Sequence, residues 1–192
     1  MKNIYIILLL SISLASSTFN IIDDQSTIKW KGSKSNGSYH DGLISIEKGF
    51  INVSNNIIID GEININMNSI TCTDIKNLES NQYLINHLKN DDFFSVSDYP
   101  ISYLKILSIN HQNDNNYLVQ ADLKIKDQTH PIEFFANIQI NKDAAIATGK
   151  IEIDRSKYNI KYKSKTWFPD LGDRFINDIF ELYFSLVALP SS

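Results

Sequence analysis

The sequence is poor in cysteine, in positive charge and in long apolar runs. Cys72 is the only cysteine among 192 residues, so the chain forms no internal disulfide and must be held together by a hydrophobic core. Lysine and arginine number 18 against 22 acidic residues, a balance that does not favour nucleic-acid binding. Beyond the N-terminus, the apolar runs last only a few residues, which is too short for a transmembrane helix.

The common catalytic and cofactor motifs are also missing from the sequence. There is no nucleophile elbow, P-loop, dinucleotide fingerprint or zinc-protease helix. The four histidines, His40, His87, His111 and His130, are scattered and share no metal-binding spacing with another ligand. The sequence therefore predicts no catalytic residue, no metal site and no cofactor, and Cys72 is interpreted as a buried bystander.

The N-terminus has the pattern of a secretory signal peptide. Lys2 precedes an apolar run over residues 4–14, and the small residues Ala15, Ser16 and Ser17 follow it. The run is shorter than the ~20 residues of a membrane span, which disfavours the alternative of an uncleaved anchor. We predict a signal peptide over residues 1–17, one domain over residues 18–192 with a net charge of about −5, and a periplasmic or secreted protein.

Most of the remaining chain alternates between apolar and polar residues, which is typical of half-buried β-strands. In residues 57–67, for example, Ile57, Ile59, Gly61, Ile63, Ile65 and Met67 are expected to face the core. Residues 156–165 are expected to be extended, and residues 166–174 form a loop. The eight main predicted strands span residues 27–31, 38–53, 57–67, 101–109, 117–125, 131–140, 144–154 and 175–189, and the last is described as the longest.

One segment, near residues 77–89, has helical spacing instead. Leu84, Ile85 and Leu88 recur at helical intervals; Asp74 is a candidate N-cap and Asn90 a candidate stop. Two adjacent aromatics, Phe93 and Phe94, follow the helix before Pro100 opens the next strand. The helix and this aromatic plug, as we call Phe93 and Phe94, are expected to cover the interior of the sheet.

About eight antiparallel strands joined by tight turns predict a closed barrel, because closure removes exposed strand edges. A barrel of eight strands is about wide enough for packed side chains or for one small ligand. A flat sandwich is the structural alternative. An outer-membrane barrel is disfavoured because the turns are short at both ends and a helix with an aromatic plug has no place in a lipid-facing wall.

Two polar groups have alternative interpretations. His87 either hydrogen-bonds a ligand head group at a pocket mouth or is a residue favoured at a helix C-terminus. Arg155 either binds a substrate anion or forms a structural ion pair with Asp173.

Several short segments, in this order and spacing, resemble the YceI-like family of periplasmic, lipocalin-like isoprenoid-binding proteins. The resemblance covers residues 18–192 nearly end to end, with Ala121 standing where the family usually has glycine. The matching segments are residues 26–32, 40–42, 61–63, 68–70, 87–89, 92–94, 99–100, 121–126, 153–160, 171–173 and 179–182.

The resemblance implies an all-β fold: an eight-stranded antiparallel lipocalin-like barrel that holds a long apolar lipid, of quinone or polyprenyl type, without covalent attachment. It leaves open transient membrane contact and a homodimer. The alternatives are an enzyme acting on a lipophilic substrate and a stress-related structural barrel with a filled core. The residues expected to line the ligand site are Ile63, Ile65, Leu84, Leu88, Phe93, Phe94, Tyr103, Phe134, Ile138, Tyr158, Trp167, Phe180 and Phe184.

Overall fold

The structure, a computed structural model, describes residues 16–191, so nearly all of the predicted signal peptide lies outside the described residues. Its regular elements are nine strands and one α-helix within that range. They are β1 (Ser17–Ile21), β2 (Thr27–Ser33), β3 (Tyr39–Ser54), β4 (Ile57–Asn66), α1 (Leu78–Lys89), β5 (Ile101–Asn113), β6 (Asn116–Ile125), β7 (Gln128–Ile140), β8 (Ala145–Asp154) and β9 (Ile179–Pro190).

Strands β2 to β9 form a closed antiparallel ring. Each strand pairs with its neighbour in sequence, and β2 closes the ring by pairing with β9. Closure satisfies the backbone groups that an open sheet would leave at its edges. The predicted eight-stranded antiparallel barrel with a single helix is therefore confirmed for the part of the chain that the structure describes.

The short strand β1 was not predicted, because Ser17 was assigned to the end of the signal peptide. Strands β1 and β2 occupy the same position in the barrel, between β3 and β9. Phe19 of β1 pairs with Ile51 of β3 on one side and with Pro190 of β9 on the other. The side chain of Phe19 is buried in the core. Nine strands therefore occupy eight positions around the barrel.

The alternation of strand residues places the apolar face inward along most of the barrel, but β4 departs from the prediction. Asn52 pairs with Asp60 whereas Val53 pairs with Ile58, so an extra residue bulges out of β4 between them. The bulge reverses the faces before Gly61, so Ile58 is buried, whereas Ile57 and Ile59 are exposed. The expectation that Ile57 and Ile59 face the core was wrong.

Helix α1 begins at a different cap from the one predicted. The side-chain oxygen of Asn77 accepts a hydrogen bond from the Ser80 amide at 2.8 Å, so Asn77 is the N-cap. Asp74 instead accepts a hydrogen bond from the Asp41 amide of β3, at 3.0 Å. Asn90 ends the helix as predicted, with its amide bonded to the Asn86 carbonyl at 3.1 Å.

The connection from β4 to α1 crosses β3 at Gly42, and this crossing positions Trp30. A Cβ atom on Gly42 would lie 1.8 Å from the Thr71 carbonyl oxygen, so only glycine permits the close approach. The same carbonyl accepts a hydrogen bond from the Trp30 indole at 2.9 Å. The crossing therefore fixes the orientation of the Trp30 ring within the barrel wall.

The connection from β8 to β9, residues 155–178, is the largest departure from the predicted elements. It opens with a 3₁₀ turn over Arg155–Tyr158 and continues as turns, so residues 156–165 are not extended. Strand β9 begins at Ile179, and the longest strand is β3 with 16 residues. We call residues 155–178 the end segment.

None of the helices in residues 16–191 is both long and apolar enough to span a membrane.

Candidate functional site

The barrel encloses an elongated cavity of about 230 Å³. One water molecule needs only about 10–15 Å³ of such space, so the cavity has room for a ligand of many atoms. Every strand contributes to its wall, and the wall is almost entirely apolar, because the inward residues of the alternating strands are apolar. The wall includes Ile28, Ile44, Ile51, Ile58, Leu104, Ile106, Val119, Leu123, Ala136, Ala147, Ile151, Leu182 and Leu186.

The end of α1 and the aromatic plug close part of one end of the cavity. Leu88, Phe93 and Phe94 all line it. Backbone hydrogen bonds tie the plug to the helix, with the Phe94 amide 3.1 Å from the Leu88 carbonyl oxygen. The Phe94 ring also packs edge-on against Phe180 of β9, at 6.4 Å between centroids. The plug is therefore held on both sides.

The end segment completes the same closure. Its residues Ile160 and Ile176 line the cavity, and the Tyr162 ring meets the plug with its centroid 5.4 Å from that of Phe93. Helix, plug and end segment thus form one continuous apolar cover. The sequence predicted the first two parts but not the third, because the end segment has no regular periodicity.

The side chain of Arg155 holds the end segment together. Its guanidinium donates to the backbone carbonyls of Asn177, Ile160, Tyr162 and Ile176 at 2.9–3.1 Å. It also lies 3.2 Å from a carboxylate oxygen of Asp178. Burial lowers the pKa of Arg155, and the Asp178 charge opposes that effect. These contacts identify Arg155 as a structural residue of the cover.

The predicted ion pair between Arg155 and Asp173 is therefore wrong. Arg155 pairs with Asp178, which lies immediately before β9, because the end segment folds back over the start of that strand. Asp173 is exposed, and its backbone carbonyl accepts a hydrogen bond from Ser35.

Nine of the thirteen predicted site residues line the cavity. They come from three strands (β4, β7 and β9), from α1 and from the plug, and the ring places them around a single interior. Contact with a ligand remains a prediction for each of them. The nine are Ile63, Ile65, Leu88, Phe93, Phe94, Phe134, Ile138, Phe180 and Phe184.

The other four predicted residues, Leu84, Tyr103, Tyr158 and Trp167, do not line the cavity. Leu84 is half-buried on α1, one turn before Leu88. Tyr103 faces outward because its neighbours Ser102 and Leu104 take the inward positions of β5. Tyr158 is buried at the start of the end segment, against His130 of β7, and Trp167 is exposed on the same segment.

His87 also lies outside the cavity wall. Its ring packs edge-on against Phe93 and Tyr162, with centroids 5.0 and 4.6 Å away, and its Nε2 atom is 2.9 Å from an Asp92 carboxylate oxygen. These contacts favour the interpretation of His87 as a structural residue at a helix C-terminus.

Sequence reasoning missed several wall residues that lie outside regular alternation or are polar. Trp30 and Ile70 line the cavity beside the crossing at Gly42. Ser102 and Asn177 line it as well. The alternation of β5 could have identified Ser102 as an inward residue, because the inward residues Leu104 and Ile106 follow it at intervals of two. The crossing itself leaves no periodic pattern in the sequence.

The stability of the fold depends on pH through Tyr158. Burial raises the pKa of Tyr158 to about 12, with a smaller contribution from the Asp154 charge. In the unfolded chain the Tyr158 hydroxyl ionises near pH 10. The contribution of buried, neutral Tyr158 to the free energy of unfolding is therefore complete below pH 10 and is lost between pH 10 and pH 12. We expect the wild type to lose about 2–3 kcal/mol more than Tyr158→Phe over that range, measured by urea unfolding.

The hydroxyl of Tyr158 has no hydrogen-bond partner among residues 16–191, so Tyr158→Phe should be at least as stable as the wild type at pH 7. The same substitution at exposed Tyr103 is the control and should keep the wild-type pH dependence. Parallel loss of stability in the wild type and Tyr158→Phe above pH 10 would contradict this account.

Two kinds of polar site, a metal cluster and a reactive thiolate, are disfavoured among the described residues. Residues 16–191 contain no group of three or more side chains arranged to hold a metal ion. Cys72 is buried, and that burial raises the pKa of its thiol, which disfavours the reactive thiolate. The cavity itself offers apolar surface, and its arginine is already bonded to the backbone.

Solved structures share this architecture. BcnA of Burkholderia cenocepacia has a TM-score of 0.67 at 17% identity, over 87% of this chain and 98% of that one. A polyisoprenoid binding domain from Saccharophagus degradans, implicated in plant cell wall breakdown, has a TM-score of 0.63 at 14% identity, over 90% and 98%. The Campylobacter jejuni YCEI protein has a TM-score of 0.53 at 14% identity, over 99% and 92%.

At these identities the likeness of the structures shows a common fold. No curated protein matches the chain. The sequence pattern of the YceI-like domain matches residues 18–188, which is nearly the whole of the described chain and confirms the resemblance found in the sequence. The chain therefore belongs to the YceI-like family.

Proposed function

We propose that this protein binds a long-chain isoprenoid or a similar apolar lipid, of quinone or polyprenyl type, and sequesters or carries it without chemical conversion. The observation that carries the proposal is the elongated apolar cavity, to which every strand of the closed barrel contributes. A cavity of about 230 Å³ argues against the alternative of a barrel filled by its own side chains.

The chemistry of the wall suits a hydrocarbon chain. Burying apolar surface contributes about 25 cal/mol per Å², and a hydrocarbon tail needs no hydrogen-bond partner. The buried Arg155 guanidinium is bonded to four carbonyls, so it does not require a ligand anion. The similar fold of the polyisoprenoid binding domain from Saccharophagus degradans supports the same class of ligand.

Tryptophan fluorescence provides a direct test. The chain has two tryptophans, and Trp30 lines the cavity whereas Trp167 is exposed. In a Trp167→Phe variant, a quinone with a long isoprenoid tail should quench Trp30 with saturation at one molecule per chain. A quinone with no tail should quench weakly and without saturation. Equal quenching by the two quinones would contradict the proposal.

We also propose that the protein is exported and acts in the periplasm or outside the cell. This proposal rests on the apolar run of residues 4–14 and on the small residues before Thr18. Phe19, which is buried in the barrel, follows the proposed cleavage point and would be retained. Protein recovered from producing cells should begin at Thr18 by intact mass. Recovery of the full 192-residue chain alone would contradict export with cleavage.

A further inference from the structure

The outer face of the end segment carries two adjacent exposed aromatic residues. Trp167 is 42% exposed and Phe168 is 50% exposed. The indole of Trp167 donates to the Ser156 carbonyl at 3.4 Å, so its ring is held at the surface. Two adjacent aromatic side chains that are both exposed to solvent indicate a contact surface.

The end segment also carries an excess of exposed cationic side chains, and one of them, Lys161, lies over the Trp167 ring. The ammonium of Lys161 lies 4.0 Å from the centroid of the Trp167 ring, and Lys165 lies 5.0 Å from that of Phe175. The end segment has five exposed cations and two exposed acids, on a chain whose net charge is −4. The exposed cations are Lys157, Lys161, Lys163, Lys165 and Arg174, and the exposed acids are Asp170 and Asp173.

This surface lies directly over the cavity. Ile160 and Ile176, on the inner side of the same segment, line the cavity wall. Tyr162 joins the segment to the plug through Phe93, and Lys163 lies 5.4 Å from the Tyr162 ring centroid. A partner bound to the outer face would therefore contact the elements that close the cavity.

We propose that the outer face of the end segment docks the protein on the surface of an anionic lipid bilayer, where the cavity exchanges its lipid. The inference rests on the proposed function. Tryptophan and phenylalanine favour the boundary between head groups and acyl chains, and nearby lysines attract anionic head groups. The positive charge of the segment complements such a surface, although the protein as a whole is acidic.

Vesicle sedimentation tests this surface. The protein should bind vesicles of phosphatidylcholine and phosphatidylglycerol (3:1) at least tenfold more tightly than pure phosphatidylcholine vesicles, and 0.5 M NaCl should weaken binding. Trp167→Ser/Phe168→Ser and Lys161→Gln/Lys163→Gln/Lys165→Gln should each weaken binding to the anionic vesicles at least tenfold. Equal binding to both vesicle types, or unchanged binding by either variant, would overturn the proposal.

Matched controls distinguish binding by this surface from nonspecific binding through exposed apolar residues or lysines elsewhere on the protein. Leu78→Ser/Tyr83→Ser removes two exposed apolar residues from α1, and Lys48→Gln/Lys105→Gln/Lys142→Gln removes three exposed lysines elsewhere. Both controls should bind the anionic vesicles within twofold of the wild type. Losses equal to those of the end-segment variants would overturn the proposal.

Uptake of detergent-solubilised isoprenoid quinone, measured by native mass spectrometry, separates docking from ligand binding. End-segment variants that take up the quinone but do not bind vesicles support the docking surface. Wild-type protein that takes up the quinone but does not bind anionic vesicles overturns docking alone. Vesicle binding without quinone uptake supports the surface and overturns the proposed function.

Discussion

Replacing Arg155 with alanine should lower the free energy of unfolding by about 3–5 kcal/mol, the range for removing one partner of a buried ion pair. The substitution leaves four backbone carbonyls without their donor and removes the positive charge that lies 3.2 Å from an Asp178 carboxylate oxygen. For a domain of this size the melting temperature should fall by roughly 6–20 °C. Because Arg155 holds the end segment over the cavity, retained lipid should also be lost.

Arg174 provides the matched control, since it is the other arginine of the chain and is exposed on the same segment. Arg174→Ala should stay within about 0.5 kcal/mol of the wild type. The stability of Arg155→Lys should be intermediate. Its ammonium keeps the positive charge but lacks the planar guanidinium group that bonds all four carbonyls. Thermal unfolding measures all three variants. A melting temperature for Arg155→Ala within 2 °C of the wild type would contradict the structural role.

Filling the cavity with a larger side chain should abolish lipid binding while the barrel stays folded. Ala147 faces inward on β8 between Ala145 and Gly149, lines the cavity and is only partly buried. Ala147→Phe should therefore place its ring in the space that we assign to the ligand. We expect at least a tenfold loss of quinone affinity and a stability cost of no more than about 1–3 kcal/mol.

The adjacent residue gives the control. Thr148 is exposed on the outer face of the same strand, so Thr148→Phe adds a ring to β8 without entering the cavity. It should bind the quinone like the wild type. Unchanged affinity in Ala147→Phe, with its folding verified by circular dichroism, would show that the ligand site lies elsewhere.

The barrel could be predicted because most of its strands alternate between apolar and polar residues over most of their length. In β6, Val119, Ala121, Leu123 and Ile125 recur every second residue and all are buried. The same rule gave the correct inward positions of Phe134 and Ile138 on β7 and of Phe180 and Phe184 on β9. The helix was predictable from the spacing of Leu84 and Leu88 and from the stop at Asn90.

The errors come from features that alternation does not encode. The bulge at the start of β4 shifts Ile57 and Ile59 outward through backbone pairing with β3. Asp74 could not be excluded as a cap, because its partner Asp41 is 33 residues away in sequence. The end segment depends on one arginine that bonds to carbonyls 5 to 22 residues away in the sequence. Tyr158 and Ile160 within it have the spacing of a strand but lie in turns.

Native mass spectrometry of the purified protein, followed by extraction of any released lipid, tests the central claim most directly. We expect one apolar molecule per chain, identified after extraction as an isoprenoid or a similar lipid, and reloading of the emptied protein by added quinone or polyprenol. Ala147→Phe should be recovered empty under the same conditions. Recovery of only empty wild-type protein, with no uptake of added quinone or polyprenol, would contradict the account.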